Sequence, residues 1–210
     1  MSLENLSANA LAALYALPAL PIFGAGWLSQ IRADRCVRRL TDADAGVASD
    51  VALAAFLKEV DLTDVEVVKS ENYMQNEYDA AQNKIFLSPD TLGRRDVASV
   101  ALALRAGAQG VAERRAPEKP RRVRALHAAE NITFWGAFSI LAFGIMSSTL
   151  ATTVLGYALV ALVYSLWRVR TKILREIDDV ALKFAQTNAT IPQDTARLIE
   201  QALKAERVKF

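Results

Sequence analysis

The residues best suited to chemistry are scarce. His127 is the only histidine among 210 residues, and Cys36 is the only cysteine. Catalytic metal sites and nucleophilic triads are assembled from imidazole, thiolate and carboxylate, so one imidazole excludes every mechanism that needs two. One thiol likewise excludes an internal disulfide framework and a cysteine-based zinc ribbon. His127 stands beside Glu130 at the entry to an apolar run. The expectation there is an interfacial polar residue bonded to its neighbour, rather than a lone general base. Cys36 lies in a basic stretch and is expected to be a plain buried or membrane-facing thiol, with palmitoylation as the functional alternative. No Walker loop, GxGxxG fingerprint or nucleophile elbow occurs in the chain.

Charge narrows the choice further. The chain carries 25 basic and 23 acidic residues, a net charge of +2. That balance excludes a dedicated nucleic-acid binder, whose basic face would dominate the sum. At 52% hydrophobic and 23% charged, the chain is not globally disordered.

The charges are unevenly placed. None falls between Asn5 and Gln30, and none between Ile132 and Trp167. A helix needs roughly 20 apolar residues to cross a bilayer. The first stretch therefore holds one span, about Ala8 to Leu28. The second holds two, Ile132 to Met146 and Leu150 to Trp167, joined by a tight turn at Ser147-Ser148-Thr149. The alternative, a buried hairpin in a soluble protein, fits two uncharged stretches of this length less well. Glu4 is the only charge before Arg32, so the positive n-region of a signal peptide is missing and a retained anchor is expected. Pro18, Pro21 and Gly24 are expected to kink it.

Orientation follows from the cations. All 25 lie within Arg32–Arg124 or from Arg168 onward. Arg32, Arg35, Arg38 and Arg39 abut one membrane end. Arg121, Arg122 and Arg124 abut a second, and Arg168, Arg170 and Lys172 a third. These ends are expected in the cytoplasm, which puts the N-terminus outside and the C-terminus inside. Trp27, Trp135 and Trp167 suit interfacial anchors on that side. Juxtamembrane charge explains the clusters, with contacts to anionic lipid heads as a modest addition.

The remaining residues must then fold in the cytoplasm. Thr41 or Asp42 can cap a helix whose apolar positions include Val47, Val51, Leu53, Ala54 and Leu57. Val65–Val68 and Lys84–Leu87 read as strands. A second helix is expected over roughly Arg95–Arg114, broken by Ala116-Pro117-Glu118-Lys119-Pro120. Helix is also expected to continue from Arg168 to Gln186, and Pro192 to open a last amphipathic helix bearing Ala196, Leu198, Ile199, Ala202 and Leu203. The expected class is an α+β integral membrane protein, mostly α. Its parts are an anchor (1–30), a small cytoplasmic domain (31–124), a transmembrane hairpin (125–167) and cytoplasmic C-terminal helices (168–210).

This order of elements resembles the YugP-like neutral zinc metallopeptidases, a bacterial membrane family. Three stretches carry the resemblance, which covers roughly residues 10 to 185. Tyr78-Asp79-Ala80-Ala81-Gln82-Asn83-Lys84-Ile85-Phe86-Leu87-Ser88-Pro89 is similar to the family's Tyr-Asp-Pro-…-Leu-Ser segment. Arg95 to Ala103 resembles the lead-in to the zinc helix, and Arg124 to Asn131 the approach to the hairpin. The resemblance implies a zincin-like cytoplasmic domain with an HExxH helix, in which two histidines bind zinc and a glutamate activates its water.

The chain departs from that pattern at its chemistry. Where the resemblance would place HExxH, it reads Arg105-Ala106-Gly107-Ala108-Gln109. Arg105 repels a metal, Ala106 offers no base, and Gln109 is a poor neutral ligand. The family's acidic third ligand matches Glu176 in Glu176-Ile177-Asp178, and one carboxylate does not hold a catalytic zinc. The resemblance thus implies a pseudoenzyme with no cofactor and no metal. It also implies that Arg105 pairs with Glu176 in place of the metal, unless both side chains point into water.

The expected role is a structural or accessory subunit of a membrane complex in the bacterial inner membrane, partnered by other membrane proteins and not by nucleic acid. Gly136, Gly144 and Gly156, with Ala10, Ala12, Ala13 and Ala16, would admit a partner's helices, or else serve packing among the chain's own spans. The alternatives are a pseudopeptidase that binds client peptides or regulates an active relative, and a hydrolase with unconventional chemistry.

Overall fold

The computed structural model describes residues 7–72 and 75–208. Asn5, which opens the first uncharged stretch, and Lys209 lie outside the described residues. The described chain is mostly helical with one small sheet. It divides into two compact units. One gathers residues up to Ser29 with Arg122–Thr171, and the other Gln30–Arg121 with the residues from Lys172 onward.

The first unit is helical throughout. Ser7 caps α1 (Ala8–Ala16) by accepting a hydrogen bond from the Ala10 amide. The helix stops at Leu17-Pro18, and α2 (Ala19–Thr41) restarts at once. The proline kink expected in the anchor is therefore a break at Pro18. Pro21 sits in the first turn of α2, where a missing N–H costs nothing.

Helix α5 (Glu118–Met146) and helix α6 (Leu150–Thr187) form the hairpin. Its turn falls at the expected serines. Ser148 adopts a left-handed φ of 53°, and the Thr149 amide donates back to the Gly144 carbonyl at 2.9 Å. Both helices run past the boundaries expected at 124/125 and 167/168, which lie in mid-helix.

Hairpin packing consumes two of the three glycines. A Cβ on Gly144 would sit 2.6 Å from the Thr153 amide nitrogen, and one on Gly156 would sit 2.7 Å from the Leu141 Cα. Gly136 has open space around it. Lower in the hairpin, Glu130 and Arg170 form a buried ion pair, with Arg170 Nε 2.9 Å from both carboxylate oxygens. Glu130 is thus spent on Arg170, and His127 is exposed.

The α1–α2 stretch and the hairpin helices are three segments long and apolar enough to cross a membrane.

The second unit is built around α4 (Val97–Arg115). Asp96 caps this helix, accepting from both the amide and the hydroxyl of Ser99. Nearly every residue from Val97 to Val111 is buried, so α4 is the central core element. Helix α3 (Ser49–Glu59) lies so close against it that a Cβ on Gly107 would meet Phe56 and Leu53 at 2.8–2.9 Å. Phe56 also stacks edge-on with Phe184 of α6, with centroids 5.1 Å apart.

The expected cap at Thr41 or Asp42 is corrected. Thr41 ends α2, and α3 starts at Ser49 without a side-chain cap. The intervening residues pair with the lead-in to α4, Ala45 donating to the Arg95 carbonyl and Val97 to the Ala43 carbonyl. Gly46 makes the turn at a φ of 74°.

Strands β1 (Glu66–Lys69), β2 (Glu77–Asp79) and β3 (Lys84–Leu87) form a sheet in the order β1-β3-β2. β3 is parallel to β1 and antiparallel to β2. Strand β2 has one inward residue, Tyr78, between Glu77 and Asp79. That is too short an alternation to read from sequence. Pro192 directly precedes the closing helix α7 (Gln193–Val208), and its carbonyl accepts from Thr195 and Ala196.

Candidate functional site

Helix α4 carries Arg105, Ala106 and Gln109, the positions where the resemblance would place HExxH. Residues four apart share a helix face, so Arg105 and Gln109 stand one above the other. They face different neighbours. Gln109 Oε1 accepts from the Tyr78 amide of β2 at 3.4 Å. The segment from Tyr78 to Leu87, which carries part of the family resemblance, is the β2–β3 hairpin, with Asn83 at the turn in the left-handed region.

Arg105 faces α6 and α7. Its Nε donates to Asp178 Oδ1 at 2.8 Å and its Nη2 to Oδ2 at 2.7 Å, a full two-point fork. Nη2 also donates to the Leu203 carbonyl at 3.1 Å. Arg207, one turn on along α7, approaches Asp178 Oδ2 with its Nε at 3.2 Å. The side chain of Asp178 is 3% exposed and that of Arg105 12%. Three helices thus meet at one buried carboxylate.

Two guanidiniums on one carboxylate leave an excess positive charge. Burial pushes Arg207 below its ordinary range, and Asp178 opposes that shift while Arg105 and Arg175 add to it. The Leu203 carbonyl, near the C-terminal and partly negative end of α7, offsets some of the excess.

The expected partner is corrected: Arg105 is held by Asp178, not Glu176. Glu176 is 44% exposed and pairs with Lys119 of α5, Nζ to Oε2 2.9 Å. The hydrogen bond and charge of Lys119, with a smaller contribution from Lys172, hold its carboxyl below the usual range. The cause is helical geometry. Residues 176 and 178 lie about 200° apart around α6. The buried face is Ile177, Asp178, Ala181, Phe184 and Ala185, and only Asp178 of the two acids is on it. That apolar spacing, with one aspartate inside it, was the signal that could have found Asp178. Arg207 carried none, since one arginine near the end of an amphipathic helix is ordinary.

The arrangement does not fit a zinc ion. A guanidinium stands where the resemblance would place the first ligand, already bonded to Asp178. Ala106 is fully buried and offers no base. Gln109 spends its oxygen on Tyr78. Among the described residues, no three His, Cys, Asp or Glu side chains gather into a group that could hold a metal ion.

A family model described as "Putative neutral zinc metallopeptidase" matches residues 15–205. The chain belongs to this family. The match takes in all three candidate spans from Tyr15 on, the sheet, α4 and most of α7. This member of the metallopeptidase family therefore carries Arg105, Ala106 and Gln109 on the helix that the resemblance assigns to zinc. No curated protein and no solved structure matches the chain.

Proposed function

We propose that this protein is a catalytically inactive member of its metallopeptidase family and serves as a structural or accessory subunit of a membrane protein complex. The observation that carries the reading is the Arg105–Asp178 fork. A permanently charged guanidinium fills the place of a metal ligand and closes on the carboxylate available nearby. Catalysis through a bound zinc needs neutral or anionic donors and an activated water. Arg105, Ala106 and Gln109 supply neither.

The same geometry favours a subunit over a client-peptide binder. The Arg105 face of α4 is covered by the chain's own α6 and α7, through Asp178, Leu203 and Arg207. A peptide laid along that face would have to displace buried Ile199 and Leu203. The three apolar segments then become the surface on offer, in a multi-pass arrangement with the N-terminus outside and the C-terminus in the cytoplasm.

Extraction of native membranes in mild detergent tests the role. A stable, stoichiometric complex with other membrane proteins is expected. A monomer under those conditions removes the subunit reading, and peptides copurifying at a substoichiometric level favour the client binder.

A further inference from the structure

We propose that the arginine face of α2 is a docking surface for anionic phospholipid headgroups. The proposal rests on the membrane-spanning reading and adds a lipid preference to it. Arg32, Arg35, Arg38 and Arg39 are all exposed. Among the described residues, no side-chain hydrogen bond or ion pair holds any of the four, whereas Arg94, Arg95, Arg105 and Arg114 each meet a carboxylate.

Their placement on the helix is one-sided. At about 100° per residue, buried Ala33 and Leu40 and half-buried Val37 mark the inward side of α2. The four arginines fill an arc of about 120° on the opposite side. Asp34, the one acid of α2, lies outside that arc. Arg38 and Arg39 stand in the last turn, where a cation is favoured by the helix dipole alone. Arg32 and Arg35 stand too far upstream for that explanation.

What precedes the arginines identifies the occupant. Phe23, Trp27 and Leu28 are exposed on the same helix. Leu28, Arg32, Arg35 and Arg39 follow one another at helical spacing along a single line. Within one turn, the exposed surface changes from apolar to cationic. A boundary of that kind matches acyl chains meeting phosphate headgroups, with arginine stems lying along the apolar layer and the forked guanidinium reaching phosphate oxygens. A nucleic acid would match the cationic half and leave the apolar half uncovered.

The test uses the full chain reconstituted in vesicles of phosphatidylglycerol and phosphatidylcholine. Trp135→Phe and Trp167→Phe leave Trp27 as the reporter, and quenching bromines are placed on the acyl chains of one lipid or the other. Near a charged surface each arginine favours an anionic lipid by about fivefold. Brominated phosphatidylglycerol is therefore expected to quench Trp27 selectively, and the selectivity to weaken in high salt. It is expected to disappear when all four arginines are changed to Gln and to persist when all four are changed to Lys. Equal quenching by both lipids in the parent, or selectivity unchanged in the Gln variant, overturns the proposal and leaves the spanning reading intact. Absence of quenching by either lipid overturns both. The parent's selectivity and its salt dependence are read without any variant, so a Gln variant that fails to fold does not remove the test.

Discussion

Two arginines, one in each unit, meet buried carboxylates in contrasting ways. Arg105 uses Nε and Nη2 on the two oxygens of Asp178 and adds the Leu203 carbonyl. Arg170 uses Nε alone, shared between both oxygens of Glu130, and its Nη2 is buried with no hydrogen-bond partner among the described residues. The first pair sits in a satisfied network that ties three helices together. The second joins two helices and leaves a polar atom uncompensated. A buried ion pair stabilises a fold only when its remaining hydrogen-bonding groups are met. Burial alone therefore does not rank the pairs; the count of satisfied donors does.

The largest effect is expected at Asp178. Asp178→Ala strands two guanidiniums and is expected to cost about 3–5 kcal/mol. Adding Arg105→Met should recover part of that loss, giving a coupling energy of about 1–3 kcal/mol in a double-mutant cycle followed by thermal unfolding. Additive effects would remove the clamp as a unit.

The hairpin pair comes next. Glu130→Ala or Arg170→Met alone is expected to destabilise by about 3 kcal/mol. The double substitution should cost less than either single one, because an unmet Nη2 is already part of the native state. Unfolding in detergent micelles measures both. If the double variant is as damaged as either single one, the contrast between the two regions fails.

Close packing gives a third effect of about 1–3 kcal/mol. Gly156→Ala forces a methyl against the Leu141 backbone and should loosen the hairpin. Gly136→Ala meets open space and should be neutral or slightly stabilising.

The smallest effect is expected at the exposed carboxylates. Glu176→Gln should change stability only slightly, because its ion pair with Lys119 is screened by solvent. Lys119 beside Glu176 and Arg114 beside Asp64 hold both carboxyls below their unfolded values. Each contribution is therefore full above about pH 5, clear of both unfolded values, and is lost as pH falls through the depressed native value. Urea titrations between neutral and acid pH should show the parent losing slightly more stability than Asp64→Asn or Glu176→Gln.

Much of the fold was legible because it rests on local patterns. Uncharged runs marked the apolar helices, and the turn at Ser147–Thr149 fell where small polar residues interrupt them. β-branched runs marked β1 and β3, and Pro192 marked the start of α7. The start of α3 was not legible. It is set by residues 43–49 pairing with 94–97, a contact across some fifty positions that no local window contains. At the site, the loss of the histidines was plain from the residue count, and Arg105 was singled out as a cation that would pair with an acid. Its partner was missed by two residues. The family likeness pointed to Glu176, whereas the inward spacing of Ile177, Ala181 and Phe184 favours Asp178. The two glycines of the hairpin were ambiguous between partner and self, and only the distances to Thr153 and Leu141 assign them to the chain itself.

Elemental analysis of the purified full chain tests the central claim most directly. No stoichiometric zinc is expected, because a guanidinium bonded to Asp178 stands where the family likeness would place a ligand. About one tightly bound zinc per chain, released by Asp178→Ala, would contradict it.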